Sequence, residues 1–236
     1  IYADEGTFGH SLAEFKLRCY IGVKSKSTRD AEYQQLLLHK FYSKELEDTV
    51  DFYADVVKEQ LAAAQAKDPG AILLLEQKLE LSAYVPESFG TGDAVIVTED
   101  EVIVMDLKMG KGVKVDGAAN SQMRLYGLGA LNAYCCMYEL TQVTTIVVQP
   151  RLDNVSGETM TVNELVLWGE SIKPIAKAAF AGEGEFCCGD HCRFCRAKAV
   201  CRARGEANLE LAAKYDSGKS LTDPRLLDTA ELAYIL

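Results

Sequence analysis

No apolar run in this 236-residue sequence reaches the length of a bilayer span, and runs such as Ile72 to Leu75 and Ile146 to Val148 are buried-strand lengths. A membrane-spanning architecture is therefore not expected. Internal repeats and low-complexity tracts are missing too. Basic residues are in deficit, 25 against 35 acidic, and the net charge of -10 argues against a protein that coats nucleic acid by bulk attraction. A local basic groove stays compatible with that total. Ile1 to Gly9 has neither a basic n-region nor an apolar h-region, so a cytoplasmic, reducing compartment is expected. The sequence does not begin with Met, which leaves room for residues upstream.

The balance of 48% apolar and 25% charged residues is that of an ordinary globular protein whose core needs no disulfide staples. Eight cysteines exceed that need, and Cys187, Cys188, Cys192, Cys195 and Cys201 crowd into one stretch. Such clustering reads as metal or iron-sulfur ligation rather than a secreted disulfide framework. Cys135 and Cys136, in an apolar helical pattern, read as core.

The spacing predicts helices over the first seventy residues, with Asp4 or Thr7 as candidate caps and a charged helix from Ser43 to Lys67 ended by Asp68-Pro69-Gly70. Strands follow over Ala71–Leu81, Thr91–Val97 and Val102–Lys108. Gly110, Gly112 and Gly117 mark a loosened segment before a helix from about Asn120 to Leu140. A strand over Val143–Gln149 is closed by Pro150, and Thr161–Ala181 reads as a helix in which Pro174 makes a kink or restart. A last helix covers Ala207–Tyr215. The order predicts an α/β domain, residues 1–182 with its core about 71–150, and a cysteine-rich segment, 183–236, packing on it.

If the strands around Glu99-Asp100 form a hairpin, Val97 faces Val102, Val95 faces Val104 and Asp93 faces Asp106, all on one side of the sheet. Two carboxylates at a cross-strand separation of roughly 4.5 to 5.5 Å repel each other, and a hard divalent cation such as Mg²⁺ is their natural compensator. Lys108 lies on the same face. Gln122 and Tyr126 follow at i, i+4 on one helix face. The competing reading makes Asp93 and Asp106 solvated strand ends and His10 an ordinary helix-face histidine, while Glu76, on a polar face with Lys78 and Glu80, fits a solvated strand edge as well as an accessory role.

Gly6-Thr7-Phe8-Gly9-His10, Asp93, Asp106-Leu107-Lys108 and Gln122-x-x-x-Tyr126, in that order, resemble the RecB-like branch of the PD-(D/E)XK nucleases, and most closely a phage-associated group of them. The resemblance runs through most of the chain. It implies a restriction-endonuclease-like core, a mixed β-sheet flanked by helices, and a metal-dependent DNA nuclease, expected to be an exonuclease acting in phage or bacterial recombination and repair. His10, Asp93, Asp106 and the backbone carbonyl of Leu107 would hold Mg²⁺ or Mn²⁺. Lys108 would act on the water or the transition-state charge, with Gln122 and Tyr126 positioning the strand or bracing the site. DNA is the implied partner, with phage or host recombination proteins beside it. A different class remains open: a catalytically silent DNA-binding or assembly module on the same fold.

Charge placement adds candidates for phosphate contact. Arg193, Arg196, Lys198, Arg202 and Arg204 lie in a stretch without acids, and Lys111, Lys114 and Arg124 follow the strand that carries Lys108. Cys192-x-x-Cys195-x5-Cys201 resembles the C-terminal triplet of iron-sulfur RecB-like nucleases, such as AddB-type and CRISPR-associated enzymes. That likeness implies a 4Fe-4S cluster whose fourth ligand is Cys188, Cys187, Cys19 or a residue upstream of Ile1. Zinc is the alternative, with His191 as a further ligand. Cys188-x3-Cys192-x2-Cys195 also looks like the radical S-adenosylmethionine signature, but too little chain follows it for a barrel of roughly 200 residues or more.

Overall fold

A computed structural model describes residues 2–22 and 26–216 of the chain. It divides into two units, Ile1–Ala181 and Gly182–Leu236. In the first, three helices, α1 (Tyr2–Tyr20), α2 (Lys26–Leu37) and α3 (Lys44–Lys67), precede three strands, β1 (Ile72–Glu80), β2 (Phe89–Val97) and β3 (Glu101–Leu107). Then come α4 (Ser121–Tyr134), β4 (Gln142–Gln149), a short 3-10 turn (Pro150–Leu152), β5 (Asn154–Thr161) and α5 (Val162–Phe180).

The five strands form one sheet in sequence order, antiparallel except for the β3–β4 pair, which is parallel. A parallel pair needs a crossover, and α4 supplies it. Both faces are covered. Ala94, Ile96, Met105 and Leu107 pack with Phe8 and Leu12 of α1 and Val50 and Val57 of α3, while Val95, Val97, Val102 and Val104 pack with Met123 and Leu128 of α4 and Leu165 of α5. Two-sided burial is why β3 and β4 read as nearly unbroken apolar runs.

Helix ends follow local chemistry. The Ser43 side chain accepts from the Leu46 amide, Asn120 from Gln122 and Met123, and Thr161 with Glu164 makes a reciprocal capping box. Four expectations are corrected. Helix α4 stops at Tyr134, so Cys135 and Cys136 are exposed at its end rather than core. Pro174 lies inside an uninterrupted α5. β5 has no counterpart in the sequence reading because this edge strand buries little beyond Asn154 and its residues are mostly polar. The last helix, α6 (Arg202–Asp216), begins directly after Cys201.

In the second unit, a 3-10 turn (Asp190–Phe194) and α6 are the helical elements among the described residues. No described residue of this unit is buried, and Phe186, Phe194 and Val200 are open to solvent. None of the eight cysteines is disulfide-bonded. Cys19 belongs to α1 and packs against the core on that side of the sheet. No helix among the described residues is long and apolar enough to cross a membrane.

Candidate metal centre at the end of the sheet

The hairpin register is as expected over Val97↔Val102 and Val95↔Val104, but the β2–β3 pairing stops at Ala94↔Met105. One residue further, Asp93 leaves the expected face. A Cβ on Gly92 would meet Leu79, Val95 and Val104, so Gly92 and Val95 face α4 together and the period-two alternation breaks between them. Opposite, in β1, Glu76 adopts a left-handed φ of 51°, and the β1–β2 pairing is interrupted between Leu75↔Ala94 and Gln77↔Gly92. This double break turns both acids toward α1. Asp93 Oδ1 lies 3.0 Å from His10 Nδ1, and Asp93 Oδ2 accepts from the Leu107 amide at 2.7 Å, so the carboxylate takes over where the backbone ladder ends.

Candidate ligand atoms of His10, Glu76 and Asp93 all lie within 4.8 Å of one another, the one such group of three among the described residues. Glu76 is thus separated from Lys78 and Glu80, which pair with each other at the surface. Asp106 stands beside the trio rather than in it, and Leu107 meets the cluster through its amide. The placement of Glu76 depends on one backbone torsion, for which a glutamate in an apolar run gives no signal.

The electrostatics show an excess of negative charge. Burial, and then the charge of Asp93, push the Glu76 carboxyl up to about 7. Asp106 is 4% exposed and is raised for the same two reasons, with Lys108 opposing. Burial disfavours a charged His10, yet the hydrogen bond and charge of Asp93, with Asp106 and Glu76 behind it, outweigh that and raise its pKa. Two carboxylates and one imidazole within reach of one another, with the Asp106 carboxylate beside them, suit Mg²⁺ or Mn²⁺, and the hydrogen bond to Asp93 holds the His10 ring in place.

On the α4 side, Lys108 Nζ forms an ion pair with the buried Asp106 Oδ2 at 2.9 Å. The ammonium also donates to Gln122 Oε1 at 3.1 Å, and Gln122 Nε2 donates to Tyr126 Oη at 2.9 Å. The Tyr126 ring lies over Gly90 of β2, where a Cβ would collide with it. Gln122 and Tyr126 therefore form a brace behind the lysine. Sequence reasoning missed Tyr53 of α3, fully buried, whose hydroxyl has no partner and whose pKa is driven well up by burial and by Asp93, Asp106 and Glu76.

The expected phosphate contacts divide. Arg124 donates to both oxygens of Glu158 at 2.7 and 2.8 Å, with its guanidinium over the Trp168 ring. Lys111 pairs with Glu45 at 2.9 Å, and Lys114 is exposed. Arg193 and Arg196 are exposed in the second unit. There Cys188, although exposed, has Cys192 as a hydrogen-bonding neighbour with Cys201 and Cys187 close by, and desolvation followed by these neighbouring thiols raises its pKa.

Fold and site together define a mixed α/β protein, a five-stranded mixed sheet flanked by helices, with a histidine and three carboxylates gathered where the central hairpin opens. The chain belongs to the family described as "Protein of unknown function (DUF2800)", whose model matches residues 1–236. The solved structure described as "Crystal structure of SSO0001" is 15% identical, with 82% of this chain and 95% of that one covered and a TM-score of 0.31.

Proposed function

We propose that this protein is a metal-dependent deoxyribonuclease of the RecB-like PD-(D/E)XK type, an exonuclease hydrolysing phosphodiester bonds at DNA ends. The observation that carries the reading is the convergence of His10, Glu76 and Asp93 from three separate elements, with the Asp106–Lys108 pair beside them and Lys108 braced by Gln122. A protein that only binds DNA has no use for three carboxylates crowded around one imidazole and one ammonium, an excess of negative charge that a cation relieves.

His10, Glu76 and Asp93, with Asp106, are the residues that would hold Mg²⁺ or Mn²⁺. When bound, the cation supplies an acidified water and a polarised phosphate oxygen. Lys108 supplies a fixed positive charge at the same place, stabilising the negative charge that grows on the phosphoryl oxygens. Gln122 and Tyr126 keep the ammonium in place before substrate arrives, so no reorganisation is needed during the reaction. Asp93 keeps His10 in one ring orientation.

Incubating the protein with linear and circular, single- and double-stranded DNA plus Mg²⁺ or Mn²⁺, beside an Asp106→Ala control, tests the reading. The expected result is metal-dependent loss of linear DNA by wild type, with at least a hundredfold less by the variant on the scale of lost electrostatic catalysis, ~10²–10³. Equal degradation by both, or none by either, overturns it.

A further inference from the structure

Between Leu107 and Ser121 the chain forms no helix or strand, yet nearly every turn of its first half is tied down. Gln149, 1% exposed at the end of β4, donates through Nε2 to the carbonyls of Gly110 (3.1 Å) and Val113 (2.8 Å) and accepts from the Val115 amide (3.0 Å). Its register partner Asn154, also buried, donates to the Val115 carbonyl at 2.8 Å. Arg151 Nη1 holds the Met109 carbonyl at 3.1 Å, and Ser156 Oγ accepts from the Gly117 amide at 2.9 Å. Gly117 lies flat on the Ser156 carbonyl, where no Cβ would fit.

Burying two amide side chains to shape an irregular segment costs desolvation that a simple connection would not require. What the stapling leaves free is the outer edge, Lys111, Gly112 and Lys114, one turn of chain beyond Lys108. Lys111 is engaged by Glu45 in a pair exposed on both sides, which is weak in water. Lys114 points its charge to solvent from a backbone fixed on either side, at Val113 and Val115. Fixed backbone and free ammonium are the arrangement expected of a contact that positions a polyanion without reading its bases.

We propose that residues 109–117 form a preformed ledge for the phosphodiester backbone of a DNA strand, with Lys114 as the phosphate contact and Gln149 as the buried positioning residue. The proposal rests on the nuclease reading for the identity of the polyanion, not for the existence of the ledge.

The test uses the full chain carrying Asp106→Ala, so that DNA is bound but not cut, and a short fluorescein-labelled single-stranded DNA followed by anisotropy over a salt series. Adding Lys114→Ala is expected to weaken binding severalfold whatever the sequence and to lower the slope of log affinity against log salt by about one. Gln149→Met keeps the packing but releases the three staples. It is expected to weaken binding and to leave Lys114→Ala little further effect, a non-additivity that a merely structural role would not give. Unchanged affinity and slope for Lys114→Ala, simple addition of the two effects, or no DNA binding by the parent would each overturn the ledge. Wild-type cleavage with unaffected Lys114→Ala binding removes the ledge and keeps the nuclease. The binding signature without wild-type cleavage does the reverse.

Discussion

At residue 76 a single backbone torsion decides which side of the sheet an acid occupies. A glutamate at φ 51° carries strain of about 1–3 kcal/mol, and it adds a third carboxylate to a cluster already short of positive charge. Glu76→Gln removes the repulsion while keeping the shape. Its melting temperature in metal-free buffer is expected to exceed that of wild type by a few degrees. Wild type should gain about 2.7 kcal/mol at a Mn²⁺ concentration of about a hundred times its Kd, and the variant should lose most of that gain. Differential scanning calorimetry with and without Mn²⁺ checks both, and a variant less stable than wild type without metal would sink the repulsion argument. The brace on Lys108 makes a second prediction at this scale. Gln122→Ala should lower kcat about tenfold with KM nearly unchanged, while Tyr126→Phe, which leaves the Lys108–Gln122 bond in place, should cost less. His10, Asp93, Asp106, Lys108, Gln122 and Tyr126 entered the sequence reading through motifs short enough to carry a resemblance, and the structure brings His10 to Asp93 and joins Lys108 to Asp106 and to Gln122, which holds Tyr126. Glu76 and Tyr53 were not legible in this way, since one depends on a torsion and the other on which helix covers the cluster.

At the scale of elements, α1 must stay docked for His10 to reach Asp93, and Glu47 of α3 does much of that docking. Its carboxylate accepts from Lys16 of α1 at 2.9 Å, Tyr33 of α2 at 2.6 Å and Tyr42 at 2.8 Å. Burial would raise its pKa, but donation by Tyr33, Lys16 and Tyr42 outweighs burial and holds it at about 2, against an ordinary 4.5. A depressed carboxylate contributes stability that is fully present above its unfolded value and lost as pH falls through the folded one. Thermal stability is therefore expected to fall as pH drops from about 4.5 to about 2, with the α1–α3 contacts loosening. Glu47→Gln should lower the melting temperature by several degrees at neutral pH and flatten the dependence over that acid range. Circular dichroism melts across the range check it, and an unchanged slope in the variant would assign the acid sensitivity elsewhere. The helical start, the hairpin and β4 were legible from hydrophobic spacing. β5 was not: NVSGETMT buries little beyond Asn154, and its place comes from pairing along all of β4 and from stapling the 109–117 ledge.

At the scale of the whole molecule, the two units differ in what can hold them together. The first has a core on each face of its sheet. The described part of the second has no buried residue, while Phe186, Phe194, Val200 and Leu209 are all more than 70% exposed. A described stretch with no buried residue needs another source of folding free energy, and its five cysteines offer one as thiolate ligands. A metal held by Cys192, Cys195 and Cys201 with Cys188 or Cys187 is accordingly the proposed substitute, either a 4Fe-4S cluster or zinc. Protein purified without oxygen is expected to carry it in stoichiometric amount. Elemental analysis distinguishes iron with sulfide from zinc, and zinc alone would remove the iron-sulfur form. Stripping the metal should then expose the stretch from Cys187 to Cys201 to limited proteolysis, whereas the fragment ending near Ala181 persists, because hydrophobic burial rather than thiolate ligation maintains it. Protein that lacks metal yet resists cleavage there would show that the cysteines do not fold this segment.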